Sequence, residues 1–263
     1  MSTSRSIPAP SRNTVVSELR AAGCVFAEDE ARLLIEAAAT PTALRSMVRR
    51  RVAGLPLEHI VGWVDFCGLR ISVDPGVFVP RRRTELLVDR AVELAPDGAT
   101  VVDLACGCGA VGLAVAARGR GVTLHATDID PAAVRCAGRN LEPYNGHVYA
   151  GDLYDPLPPG LRGQVDVLVA NVPYVPSAAV DLLPPEARLH EPLVALDGGA
   201  DGLDILRRVA ADAADWLAPG GHLLLETSVD QVDAALAALA GAGLTPAATH
   251  DEELGATVVI GRR

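Results

Sequence analysis

Lysine is absent from this 263-residue chain, so all 23 basic residues are arginines. Against 33 Asp and Glu they leave a formal charge of −10. That balance excludes a broad nucleic-acid-binding surface and leaves room only for a local basic patch. Aromatic residues are scarce, at 3%, so the core must come from Ala, Val and Leu, within a hydrophobic content of 49%. No apolar run approaches the length of a membrane-spanning helix, and no membrane association is expected. Residues 1–12 are polar, carry prolines and lack the apolar segment of a signal peptide; a disordered start is expected there. The five cysteines form no Cys-x-x-Cys pair, which fits a reducing cytoplasm better than a disulfide framework.

What is present begins with helical periodicity. From Asn13 to about Arg51, apolar residues recur three and four apart (Val15, Val16, Leu19; Ala31, Leu34, Ile35; Leu44, Met47, Val48), with breaks at Gly23 and Thr40-Pro41. Two or three short helices are predicted, too small to bury much alone. Arg49-Arg50-Arg51 reads as a solvated helix end, where cations suit the dipole. Between Leu57 and Val73 the pattern changes to two strands around a turn near Gly68, with His59-Ile60-Val61 in the first of them. Pro80 then forces an extended entry, and Thr84 is positioned to cap a helix over Glu85–Leu94.

From Thr100 onward strands and helices alternate, which marks an α/β fold with a doubly wound, mostly parallel sheet. Strands are predicted at Val101–Leu104, Val122–Thr127, His147–Ala150, Val165–Ala170 and His222–Thr227, with Leu244–Thr249 and Thr257–Ile260 as a closing pair. A helix over Leu203–Leu217 is expected to stop at Pro219-Gly220-Gly221.

Ligands of open α/β sheets bind outside the carboxyl ends of the strands, and four consecutive strand ends here carry a polar or glycine feature. The first leads from Asp103 into Ala105-Cys106-Gly107-Cys108-Gly109, where glycines let the backbone approach a ligand. The second ends at Asp128, a carboxylate able to accept both hydroxyls of a ribose. Asp152 follows the third and Asn171 the fourth. A ribose-bearing cofactor is indicated. The spacing Gly107-x-Gly109-x-x-Gly112 is that of dinucleotide sites, but the acidic Asp103 is ill suited to a pyrophosphate. It suits a sulfonium and an ammonium, so S-adenosylmethionine is preferred over NAD.

The fourth strand ends in Asn171-Val172-Pro173-Tyr174. The Asn171 side-chain oxygen and the Val172 carbonyl can each accept one N–H of a planar amide or amine, while the Tyr174 ring lies against it. A proline-stiffened turn at a strand exit is the plainer reading of the same residues.

Asp103-Leu104-Ala105-Cys106-Gly107-Cys108-Gly109 resembles the first motif of class I methyltransferases, usually Asp-Leu-Gly-x-Gly-x-Gly. Together with Val79-Pro80-Arg81, Thr84-Glu85, Asn171–Tyr174, Glu191-Pro192, Ala195-Leu196 and Gly198-Gly199-x-Asp201-Gly202-Leu203, the chain resembles the HemK/PrmC family over about residues 51–261. Members are protein-(glutamine-N5) methyltransferases that act on peptide chain release factors.

The resemblance implies a Rossmann-like class I methyltransferase domain (75–263) behind a helical substrate-recognition domain (13–55) and a hairpin linker (56–74). It also implies S-adenosylmethionine along Ala105, Cys106, Gly107, Cys108 and Gly109, ribose on Asp128, adenine beside Asp152 and Leu153, and the substrate glutamine at Asn171–Tyr174. Three departures stand out. Val172 replaces a proline; Ala105 replaces a glycine, which requires a negative φ; and Arg82-Arg83 replace Pro and Glu/Asp.

Cys106, Cys108 and Cys136 lack a fourth ligand at metal-binding spacing and read as small residues filling a turn, so no metal is expected. His190 reads as loop packing, and Glu226 as either a neighbour of the cofactor pocket or a strand end. Two alternatives are a paralogue that methylates an amino group of a nucleic-acid base or small molecule, and a non-catalytic cofactor-binding module.

Overall fold

The computed structural model describes residues 10–263. The expectation of a disordered start lies outside the described residues for 1–9. At its other end it is corrected, because Ser11 accepts the Thr14 N–H and opens a helix at Arg12. Three helices follow, α1 (Arg12–Ala21), α2 (Ala27–Ala37) and α3 (Pro41–Val52), the last capped by Thr40 with Pro41 in its first turn. A short α4 (Leu57–Val61) closes them over a core of Val15, Leu19, Ala27, Ala31, Leu34, Leu44, Val48 and Ile60. His59-Ile60-Val61 is therefore helical, not extended. Its His59 ring nitrogen hydrogen-bonds the Val77 carbonyl, and Gly62 ends the turn at φ +87°. The hairpin is shorter than expected, β1 (Trp63–Phe66) with β2 (Leu69–Ser72).

Arg51 does not belong to a solvated helix end. It is buried, forked onto Glu30 at 2.5 and 3.1 Å and donating to Glu186 at 2.6 Å.

Beyond α5 (Glu85–Leu94) the alternating pattern gives β3 (Thr100–Leu104), α6 (Ala110–Arg118), β4 (Thr123–Asp128), α7 (Pro131–Leu141), β5 (His147–Ala150) and β6 (Val165–Ala170). There follow α8 (Pro185–His190), α9 (Asp204–Trp216), β7 (Leu217–Thr227), α10 (Val232–Gly241), β8 (Thr245–Asp251) and β9 (Ala256–Arg262). The seven-stranded sheet has the order β5-β4-β3-β6-β7-β9-β8, parallel except for the two pairings that β9 makes. One core lies on each face of the sheet. Pro219-Gly220-Gly221 does not terminate α9; these residues belong to β7, where the register with β6 shifts between Val165/Leu217 and Val167/His222. Strand order reverses between β3 and β6, so a crevice opens there at the carboxyl ends. No helix among the described residues is long and apolar enough to cross a membrane.

Candidate active site

A cavity at this switch point is lined by Asp103, Ala105, Cys106, Gly107, Cys108, Asp128 and Asn171, with Val77, Phe78, Ile129 and Ala133 as apolar walls. Sequence reasoning placed all seven of the former there. Gly109 stands behind the turn as the N-cap of α6, and Asp152 and Leu153 do not line the cavity. Asp152 instead pairs with Arg208 at 2.6 Å.

Asp103 is buried at the base of the cavity and accepts the Gly112 N–H at 2.8 Å. The helix comes this close because residue 112 is glycine, where a Cβ would lie 2.9 Å from Leu124 and 3.0 Å from the Asp103 carboxylate. Burial pushes the Asp103 carboxyl up to about 7, against the opposing Gly112 donor. Asp128 accepts N–H bonds from Gly107 and Asp130, both at 2.8 Å. Burial raises its pKa too, with those donors opposing. An ionised carboxylate offers about four lone-pair sites, so both oxygens keep acceptor capacity toward the cavity.

Ala105 overturns the expectation of a negative φ. It sits at +52°, in the left-handed region, with Gly107 and Gly109 following at positive φ. An L-residue there costs roughly 1–2 kcal/mol. Ala105→Gly is expected to stabilise the fold by about 1 kcal/mol and to raise Tm by roughly 2–4 °C, as thermal unfolding would measure. A lowered Tm would refute this account of the strain.

A second cavity lies beside the first, walled by Val172, Tyr174, Arg81, Arg83, Glu58, Glu186, Glu191 and Leu196. The two share Phe78, Asn171, Pro173 and Ala195. Asn171 is thus at their junction. Its Nδ2 donates to Thr84 Oγ1 at 3.2 Å, which leaves Oδ1 as an acceptor. Thr84 is buried in the turn before α5 and makes no cap hydrogen bond, so its expected capping role is corrected. Val172 buries its side chain in the core with Leu104, Ala170, Leu203 and Leu225.

Tyr174 is held from both ends. Its hydroxyl donates to Glu226 at 2.8 Å, and its carbonyl accepts from Gln231 Nε2 at 2.9 Å. Gln231 reaches from the start of α10 and also holds the Asp201 carbonyl at 2.9 Å. Glu191 is buried against Arg81 at 2.6–2.7 Å and accepts the Val79 N–H. Burial raises its pKa, and the Arg81 guanidinium and Val79 donor counter that rise. Glu191 thereby ties the Val79-Pro80-Arg81 segment to the 191–203 loop over the two cavities. No local signal marked Thr84, Glu191 or Gln231 as partners of Asn171, Arg81 and Tyr174, because each pair is separated by more than fifty residues. His190 ends α8 and lines neither cavity, and Cys136 donates to the Ser72 carbonyl away from both.

The chain is similar to known proteins in sequence and in fold. The family model described as Methyltransferase small domain matches residues 68–184. A crystal structure of a methyltransferase from Pyrococcus furiosus shares the fold, with a TM-score of 0.56 at 18% identity, over 74% of this chain and 89% of that one. The release factor glutamine methyltransferase of Gloeobacter violaceus is 44% identical over 72% of this chain and 67% of its own length. That of Geobacter sulfurreducens is 36% identical over 84% of this chain and 78% of its own. The chain therefore belongs to the release factor glutamine methyltransferase family.

Proposed function

We propose that this protein transfers a methyl group from S-adenosylmethionine to the side-chain amide nitrogen of a glutamine in a peptide chain release factor. The observation that carries the reading is the junction of the two cavities at Asn171 and Pro173. One cavity holds the buried Asp103 and the half-buried Asp128 among apolar walls; the other is walled by Val172, Tyr174, Arg83 and Glu191.

The donor set of the first cavity fits the cofactor. Asp128 would accept the vicinal ribose hydroxyls, Asp103 would face the ammonium, and the chain from Ala105 to Cys108 would approach the ligand through its backbone, a reading supported by their lining of one cavity. Bound there, S-adenosylmethionine supplies an electrophilic methyl group on a sulfonium. In the second cavity Asn171 Oδ1 and the Val172 carbonyl accept the two N–H groups of the glutamine amide. An amide nitrogen is a poor nucleophile because its lone pair is delocalised. These two acceptors aim that lone pair toward the first cavity and stabilise the positive charge that develops on nitrogen. The nitrogen becomes acidic as it is methylated and sheds a proton to solvent, so no strong base is needed. The helical N-terminal unit supports substrate recognition: α4 contributes Glu58 to the second cavity, and Arg51 grips Glu186 on its rim. Five free thiols suit a cytoplasmic setting.

Asp103 makes cofactor binding pH-dependent. Its folded-state carboxyl is raised above the usual 3.8 to about 7. The stability it contributes is present at low pH and lost as pH rises through about 7, where it ionises inside the protein. Only the ionised form attracts an ammonium. Cofactor affinity is expected to tighten as pH rises across this window and to be flat in Asp103→Asn, as calorimetry would show. A flat wild-type profile would remove Asp103 from cofactor binding.

The function itself is tested with purified protein, labelled S-adenosylmethionine and release factors, followed by peptide mapping. Label on a glutamine side chain is expected. Cofactor binding without label on any release factor would reject the substrate assignment.

A further inference from the structure

Arg83 stands where the resemblance has an acidic residue, and the structure gives it a partner. Glu226, at the carboxyl end of β7, is 1% exposed. Its Oε1 accepts two hydrogen bonds, one from Arg83 Nε at 3.0 Å and one from the Tyr174 hydroxyl at 2.8 Å. Its Oε2 is buried and has no hydrogen-bond partner among the described residues. The Arg83 guanidinium also lies over the Tyr174 ring, 5.6 Å from its centroid. Glu226 lines neither cavity, whereas Arg83 and Tyr174 both wall the second.

A buried carboxylate with one satisfied oxygen is stable as an anion only beside a cation. Arg83 is the only cation that Glu226 pairs with among the described residues. An acidic side chain at position 83 would instead place two carboxylates together. Arg83 Nε therefore holds in place the Glu226 oxygen that accepts from the Tyr174 hydroxyl. The backbone of Tyr174 is fixed independently through Gln231, so what Arg83 governs is the side chain.

We propose that Arg83 is a positioning residue of this protein: through Glu226 it locks the Tyr174 ring as the flat wall of the second cavity. This rests on the glutamine-amide reading of that cavity. Since Arg83 acts through Tyr174, its removal should matter only while the hydroxyl is there to be held. The ring touches the amide as it is aligned for transfer, so the loss falls on kcat more than on cofactor affinity.

The test compares wild type, Arg83→Gln, Tyr174→Phe and the double variant. It measures kcat and KM with a glutamine-bearing release-factor peptide, and cofactor affinity by calorimetry. Arg83→Gln is expected to lower kcat about tenfold, with cofactor affinity unchanged, and to cost almost nothing further in the Tyr174→Phe background. An equal loss in both backgrounds, or no loss in either, overturns the proposal. Should Arg83→Gln not fold, Arg83→Lys keeps the charge without the planar fork and serves the same cycle, with a smaller loss that must again vanish in Tyr174→Phe.

A second readout needs no turnover. The four tyrosines are replaced by 3-fluorotyrosine, and Tyr174→Phe identifies the Tyr174 fluorine signal. Arg83→Gln should shift or broaden that signal and leave the other three in place. An unmoved signal overturns the proposal. If wild type labels no glutamine, the assigned reaction fails, while the fluorine spectra still decide whether Arg83 orders Tyr174.

Discussion

Asn171→Ala is expected to slow methyl transfer by about 10²–10³-fold, the scale of removing one oriented polar group from a transition state. Asn171 is the residue common to both cavities that presents a free side-chain acceptor, because Thr84 takes its Nδ2 and leaves Oδ1 toward the junction. In the proposed mechanism, removing the amide would take away one of the two acceptors for the substrate N–H groups, and with it stabilisation of charge on nitrogen. Cofactor affinity should survive, since Asp103, Asp128 and the 105–108 turn are untouched. Initial rates with labelled cofactor, set beside calorimetric affinities, separate the two effects. A variant as fast as the parent would take Asn171 out of the mechanism. Equal losses of rate and affinity would make it a cofactor residue only.

The second large effect comes from Gly202→Ala, a change of one methyl group. Gly202 has φ +80°, and a Cβ there would stand 2.3 Å from the Tyr174 carbonyl oxygen and 2.4 Å from Gln231 Nε2. Two of the three atoms it would meet first belong to the hydrogen bond that fixes the Tyr174 backbone. Neither can retreat without releasing the other, because Gln231 is also bound to the Asp201 carbonyl. Backbone strain and the broken contact together are expected to cost roughly 3 kcal/mol, a fall in Tm of roughly 6–12 °C. Activity should drop with it as the 171–174 turn loosens. Unchanged melting and unchanged rate would show that the loop yields freely, and that the fit of 198–203 against the turn has no part in holding the site.

This pair of residues shows how far the sequence could be read. Asn171 was legible because its signal is local: an apolar strand, then an amide, a proline and an aromatic ring. The segment Gly198-Gly199-x-Asp201-Gly202 was visible as a pattern, but its purpose was not. It packs on Pro173 and Tyr174, with Val175 and Asp197 bridged beside it. Ala105 shows the reverse case. Its place in the turn was read from the motif, yet its φ came out positive, because the turn between β3 and α6 imposes that conformation whatever the side chain. His59–Val61 was misread since a run of three to five residues beside a glycine carries no period long enough to separate helix from strand. Asp152 was carried to the adenine end by likeness alone, and in the fold its carboxylate faces Arg208.

By itself the sequence determined the alternation of strands and helices, the chemistry at the strand ends and the short motifs. Each of these is written within a few consecutive residues, through periodicity, propensity and turn geometry. Only the tertiary structure decided which side chains complete one another. Thr84 turns Asn171, Glu191 anchors Arg81, Gln231 holds the Tyr174 backbone and Glu226 its hydroxyl, across separations of 52 to 110 residues. Such pairings follow from the strand order and the packing of loops over the switch point. Burial then makes each partner necessary, since a buried polar group left unpaired costs more than any local preference supplies.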